Sequence, residues 1–165
     1  PPREGALYGG AASASQTRRG LSSYVNLAAE HATGEHVRSA QFLCDPDELA
    51  YIANPTVFLD HDQRITASGG VAYQWNKWTF SADGLYGNGL RRGFANTQKL
   101  HPYETVNLGV ERLISLHGQQ SIRIRFDVVN LFDKIYPLRD GSGIGVGAPQ
   151  YGQRRGFYGT VAFAF

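Results

Sequence analysis

From Leu21 onward, apolar and polar positions alternate with a period of two. Leu21, Ser23, Val25, Leu27 and Ala29 share one parity, and Ser22, Tyr24, Asn26, Ala28 and Glu30 the other. Successive side chains of a β-strand point to opposite faces, so each parity is one face. The pattern returns as Ile65, Ala67, Gly69, Val71, Tyr73 and Trp75 against Thr66, Ser68, Gly70, Ala72 and Gln74. It continues as Trp78, Phe80 and Ala82 against Thr79, Ser81 and Asp83. Only Asn76-Lys77 separates these two runs, which predicts a tight hairpin flanked by Trp75 and Trp78. Val106, Leu108 and Val110 alternate with Asn107, Gly109 and Glu111, and His117-Gly118-Gln119 predicts the next turn. The last run sets Phe157, Gly159, Val161, Phe163 and Phe165 against Tyr158, Thr160, Ala162 and Ala164. Residues 1–20 are rich in Gly, Ala and Ser, end in Arg18-Arg19-Gly20 and lack a clean period; they predict irregular chain or a partial strand.

The run from Ile122 is the most diagnostic. Ile122, Ile124, Phe126 and Val128 lie on one face, with Arg123, Arg125 and Asp127 on the other. Charges at every second position cannot face a dry core unpaired. They fit a watery interior, where opposite signs pair across strands. Locally, a half-exposed strand of a soluble sheet explains the pattern equally well. Repetition over about six strands, with no amphipathic helix to cover the apolar face, favours a membrane barrel. The connections agree: those at Asn76-Lys77 and His117 to Gln120 are short, and those at 42–63, 88–103 and 137–153 are long. Outer-membrane barrels have short periplasmic turns and long extracellular loops. The predicted fold is therefore all-β: an antiparallel transmembrane β-barrel segment of about six strands over residues 21–165. Six strands are too few to close such a barrel alone. An open apolar sheet in lipid would leave its edge groups unpaired.

Composition narrows the picture further. The 165 residues include 16 basic and 14 acidic side chains, a net charge of +2, so no strong field favours nucleic acid. Mean hydropathy is −0.32, and no run approaches the roughly 20 apolar residues of a membrane helix. A barrel averages its hydropathy away and is not excluded. Cys44 is the sole cysteine, so no internal disulfide is possible. With no Met and an opening on Pro1-Pro2-Arg3, the chain reads as a fragment of a longer protein, the other reading being a processed mature form.

Chemical motifs are sparse. Asp60-His61-Asp62, with His101 and Glu104 elsewhere, resembles a loose metal or acid–base set without a third fixed ligand. The plainer reading is charge pairing with Arg64 or with interior arginines. Glu30, Asp83, Glu111, Arg123, Arg125 and Asp127 are lumen-facing by parity, as a solvated ladder or as groups that hold an inner domain or guide an anion. Arg154-Arg155 reads as a rim or wall pair. The glycines of 140–153 read as loop flexibility, because no helix follows to complete a phosphate cradle. There is no G-x-S-x-G nucleophile motif. No catalytic, cofactor or metal residue is assigned.

The segment Phe126-Asp127-Val128-Val129-Asn130-Leu131-Phe132-Asp133-Lys134-Ile135-Tyr136 resembles the penultimate strand of TonB-dependent outer-membrane receptors, with its Asn-Leu-Phe-Asp-x-x-Tyr motif. Residues 143–158, including Pro149, Gln150, Tyr151, Gly152, Arg154, Arg155, Gly156 and Phe157, resemble that family's last loop and closing strand, which ends in Phe as at Phe165. Asp60-His61-Asp62-Gln63 and Leu85-Tyr86-Gly87-Asn88-Gly89-Leu90-Arg91 are also similar to stretches of these receptors. The resemblance implies a barrel of about 22 strands around a plug. It implies energy-coupled uptake of a scarce nutrient, such as a ferric siderophore or vitamin B12, in the outer membrane of a Gram-negative bacterium. The implied partners are outer-membrane lipid, the small nutrient, the TonB complex through an N-terminal part outside this chain, and the barrel assembly machinery through the C-terminal strand. The rival readings are an outer-membrane barrel enzyme of the protease or lipase sort, and a soluble β-sandwich binding module.

Overall fold

The computed structural model describes residues 4–37, 45–53, 56–118, 120–144 and 147–165. Pro1-Pro2-Arg3, Cys44, Gln119 of the predicted turn and Gly145 of the predicted glycine-rich loop lie outside these. Seven long strands form the body: β1 (Glu4–Arg18), β2 (Leu21–Glu35), β4 (Ile65–Trp75), β5 (Trp78–Gly87), β8 (Tyr103–Ser115), β9 (Ser121–Val129) and β12 (Gly156–Ala164). Short elements fill the long connections. These are α1 (Pro46–Ile52), β3 (Val57–Phe58), β6 (Arg91–Arg92), a 3-10 turn (Phe94–Asn96), β7 (Gln98–Lys99), β10 (Pro137–Asp140) and β11 (Pro149–Tyr151).

The long strands pair in the order β1-β2-β4-β5-β8-β9-β12, all antiparallel, with β3 added beside β2. Close turns at Arg19-Gly20 and Asn76-Lys77, and the short link from β8 to β9, lie at one end of this meander; three long connections lie at the other. Arg19 (φ 49) and Gly20 (φ 81) are both left-handed, the conformation of a two-residue hairpin whose twist matches its strands. The Gln74 N–H donates to the Gly20 carbonyl at 2.7 Å, tying two adjacent hairpins together at this end. The shortest long strands have 9 residues, and a tilted strand needs about 9–11 to cross a bilayer.

Two sequence-based expectations change. The first twenty residues are not irregular or a partial strand: Glu4–Arg18 pairs residue for residue with β2. Small residues occupy both of its faces, so the contrast that reveals a strand is missing, and pairing imposes the conformation. The sheet accordingly has seven long strands rather than about six. Among the described residues it is open, since β1 pairs only with β2 and β12 only with β9.

The register aligns the parities of all seven strands. On one face, Leu21, Tyr73, Phe80, Val110 and Phe126 form one cross-strand row, and Val71, Ala82, Leu108, Val128 and Phe157 another. No described residue covers this face: Ile124 is 45% exposed, Phe126 47% and Val161 72%. Among the described residues the single α-helix is α1, of seven residues, and it packs in the connections rather than on the sheet. It is too short to cross a membrane, which says nothing of strands.

Candidate functional site: a charged sheet face beneath a loop cap

Glu30, Asp83, Glu111, Arg123, Arg125 and Asp127 all fall on the face opposite the apolar one. Four of them meet on β8 and β9. Arg125 donates Nε and Nη2 to Asp127 at 2.7–2.9 Å, two positions along the same strand. Arg123 reaches diagonally to Glu111 at 3.4 Å. Gly109 makes room for this cluster, because a Cβ there would lie 2.7 Å from Asp127 Oδ1 and 2.8 Å from Arg125 Nη2. Asp83 is tied elsewhere: Asn107 Nδ2 donates to it at 2.7 Å, and Asn107 Oδ1 accepts the Asn130 N–H at 2.9 Å, where β9 ends. Glu30 stands apart on β2, opposite Gly9, without an ion pair among the described residues. The polar face is hollow. A cavity of about 380 Å³ is lined from β1 (Ser15, Thr17) through Tyr24, Gly70 and Asp83 to Arg125 on β9.

The long connections fold together above one end of this face. Ile52, Val57 and Ala95 form a small apolar core, flanked by Val37, Leu49 and Ile144. Asn96 is fully buried and left-handed (φ 59), a conformation asparagine tolerates. Its Nδ2 donates to the carbonyls of Phe58 (2.9 Å) and Ile144 (3.0 Å), and its Oδ1 accepts the Ile144 N–H (3.1 Å), so one side chain joins three connections. Gly143 is left-handed, and a Cβ there would collide with Asn96 Oδ1. This glycine thus serves close packing, where the sequence reading assigned loop flexibility.

Asp62 is the charged centre of the cap and is fully buried. Its carboxylate accepts the Ala32 N–H at 2.8 Å and Arg91 Nε at 2.7 Å, and bonds His31 Nδ1 at 3.0 Å. The Arg91 guanidinium lies 3.5 Å over the Phe58 ring. Burial disfavours the charge on Asp62, but the Ala32 N–H, His31 and Arg91 outweigh it and hold the carboxyl below its ordinary value. Asp60 pairs with Arg139 at 2.8 Å and with His61 at 3.0 Å. The predicted charge pairing is therefore present, but with loop arginines rather than Arg64 or the interior pair. Glu104 pairs instead with Lys134 at 3.8 Å, so the loose set of Asp60, His61, Asp62, His101 and Glu104 is not drawn together. No three His, Cys, Asp or Glu side chains among the described residues converge in a way that could hold a metal.

The motif of 126–158 closes a knot where β9 leaves the sheet and β12 enters it. Asn130 (φ 49, buried) donates Nδ2 to the carbonyls of Lys134 (2.9 Å) and Gln153 (2.8 Å), and accepts the Lys134 N–H at 2.9 Å. Leu131 donates its N–H to the Val106 carbonyl at 2.8 Å. Asp133 takes Arg154 in a bidentate pair at 2.6 and 2.7 Å and the Arg155 N–H at 3.0 Å. Arg154 first, then the Arg155 N–H, hold the Asp133 carboxyl well below the usual carboxylate range. Tyr136 stacks on Tyr103 at 4.4 Å, and Gly152, whose N–H donates to the Tyr136 carbonyl at 3.0 Å, passes so close that any Cβ would overlap the Tyr136 ring. Pro149, Gln150 and Tyr151 form β11, with Gln150 accepting Arg139 at 2.8 Å. Phe132 and Phe165 are exposed, and Gly156 and Phe157 open β12. Asn107, Asn96 and the Asp62–Arg91 pair were not singled out as joining residues by sequence reasoning. Their partners lie 23 to 48 residues away, and no local signal marks them.

The chain matches no family model and no curated protein.

Proposed function

We propose that this chain is a section of the wall and outer loops of a TonB-dependent outer-membrane receptor, and that it takes up a scarce nutrient, such as a ferric siderophore or vitamin B12, rather than catalysing a reaction. One observation carries the reading. A single antiparallel meander leaves its whole apolar face uncovered while charges gather on the opposite, hollow face. In water such a face is an unfavourable exposure; against hydrocarbon it is the stable arrangement. The asymmetry of the connections supports the same orientation, with short turns toward the periplasm and the loop cap toward the outside.

In this reading the strands are rigid wall and the loop cap meets the nutrient. The polar side chains of Asp83, Asn107, Glu111, Arg123, Arg125 and Asp127 line the water-filled side against which a plug moves. Energy comes from the TonB complex, acting on a part of the receptor outside these residues. The exposed edge of β12 is the strand offered to the barrel assembly machinery. The test is fractionation of the native envelope together with uptake. The protein belongs in the outer-membrane fraction, and disrupting its gene or the TonB complex abolishes growth on the limiting nutrient. Recovery in the soluble fraction would overturn the reading in favour of a sandwich module. Hydrolytic activity lost on changing His61 or His101 would favour an enzyme.

A further inference from the structure

On the apolar face of β4, β5, β8, β9 and β12, two side chains are charged: Glu104 near the loop end of β8 and Arg112 near its turn end. Glu104 has Lys134 beside it. Arg112 is exposed and has no carboxylate partner among the described residues; Glu111 points to the other face and pairs with Arg123. Its guanidinium lies 4.6 Å from the Trp78 ring centroid, and its cross-strand neighbours are Trp78 and Ile124. One row away on the same face, Phe80 and Val110 enter an apolar trough of about 470 Å³, walled also by Val71, Tyr73 and Phe126.

The spacing sets a level. Arg112 and Glu104 are eight residues apart on β8, about 27 Å along a strand at roughly 3.4 Å per residue. With a strand tilt of about 40° that becomes about 21 Å of height, close to the apolar band of an outer-membrane barrel at about 25 Å. Arg112 then stands at the headgroup level on the turn side, where an indole is also at home.

A cation one row from an apolar trough matches a lipid that has one phosphate and an acyl chain. We propose that Arg112, held against Trp78, binds the phosphate of a phospholipid whose acyl chain lies in the trough between Tyr73 and Phe126. The proposal rests on the outer-membrane reading. The turn end then faces the periplasm, so the occupant comes from the phospholipid leaflet and not from lipopolysaccharide.

The experiment is native mass spectrometry of the whole protein released from outer membranes, with phosphatidylglycerol and diacylglycerol as the added probes. The wild type keeps one phosphatidylglycerol per chain and does not keep diacylglycerol. Arg112→Gln lowers retention at least fivefold, and Arg112→Lys restores most of it. Val110→Phe, which fills the trough and leaves the cation in place, also lowers retention. Equal retention by the wild type and both Arg112→Gln and Val110→Phe overturns the lipid site, as does equal retention of the two probes or preferential retention of lipopolysaccharide. Absence of the wild type from the outer membrane overturns the parent reading and the lipid site with it.

Discussion

Placing an arginine at different depths on one face measures whether that face meets hydrocarbon, and the register says where each depth lies. Leu108 is midway between Glu104 and Arg112 on β8, and its partner on β9 is Val128; the partner of Arg112 is Ile124. Val128 is therefore a mid-band position and Ile124 an edge position, on one strand and one face. An arginine on the lipid face of a barrel costs about 2–4 kcal/mol at the midplane and about 0–1 kcal/mol near an interface. If the proposed outer-membrane reading holds, Val128→Arg is expected to destabilise the inserted protein by about 2–4 kcal/mol, Ile124→Arg by at most about 1, and Phe126→Arg by a value between them. Thr66→Arg, on the polar face opposite Gly87 and Ala28, is expected to cost less than about 1 kcal/mol, as a substitution in a wet lumen does. Denaturant titration of the protein refolded in phospholipid vesicles reads all four. Equal costs at Val128 and Ile124, or a cost at Thr66 as large as at Val128, would refute the assignment of faces. A soluble sheet would order the variants differently, because an arginine on an uncovered apolar face in water has almost no cost.

Two further predictions concern the loops. Asp62→Ala leaves Arg91 buried without its partner, which is expected to weaken the cap by about 3–5 kcal/mol. Hydrogen exchange should show this at Ala32 and in the connections, with β8 and β9 unchanged; unaltered protection at Ala32 would contradict it. The folded carboxyl of Asp62 lies below its ordinary 3.8, so its contribution is complete above about pH 4 and fades only as pH falls through the lower folded value. Protection at Ala32 that is lost already between about pH 7 and pH 5 would contradict that sign. Gly152→Ala is expected to push Tyr136 off Tyr103 and destabilise the closing knot by about 1–3 kcal/mol. Near-ultraviolet circular dichroism reports the broken stack. Adding Tyr136→Ala should recover part of the loss, and no recovery would mean that the collision is not the cause.

The six alternating runs and their faces were readable in the sequence because large apolar side chains contrast with polar ones at every second position, as at Ile122 to Val128. β1 was not, since Ala6, Gly10, Ala12 and Ala14 face one way and Gly5, Gly9, Ala11 and Ser13 the other, with almost no contrast between them. The motif at 126–136 was recognisable as a string of residues, but its physical content was not. Asn130 and Asp133 matter because they bind residues 153 to 155, and that is a property of the folded knot. The cap was illegible for a related reason. Its helix and two-residue strands are too short for a period, and contacts between distant residues such as Asp62 with Arg91 and Asn96 with Ile144 hold them in place.

On the proposed outer-membrane reading, the edges of the sheet constrain what the inserted unit must be. β1 and β12 each use one side for pairing, and on the other side alternate residues present free N–H and C=O groups. In hydrocarbon every such group costs several kcal/mol, so two bare edges would outweigh the gain from burying the apolar face in lipid. In water the balance fails differently: the edges are hydrated, while Phe126, Phe157, Val161 and Phe163 are left facing solvent. Neither solvent suits this sheet by itself. Closure by further strands, as the proposed barrel requires, would satisfy both demands together, because it would pair the edges and turn the ion-paired face of β8 and β9 inward onto water. Within the proposed outer-membrane reading, that requirement follows from backbone chemistry and the register of faces.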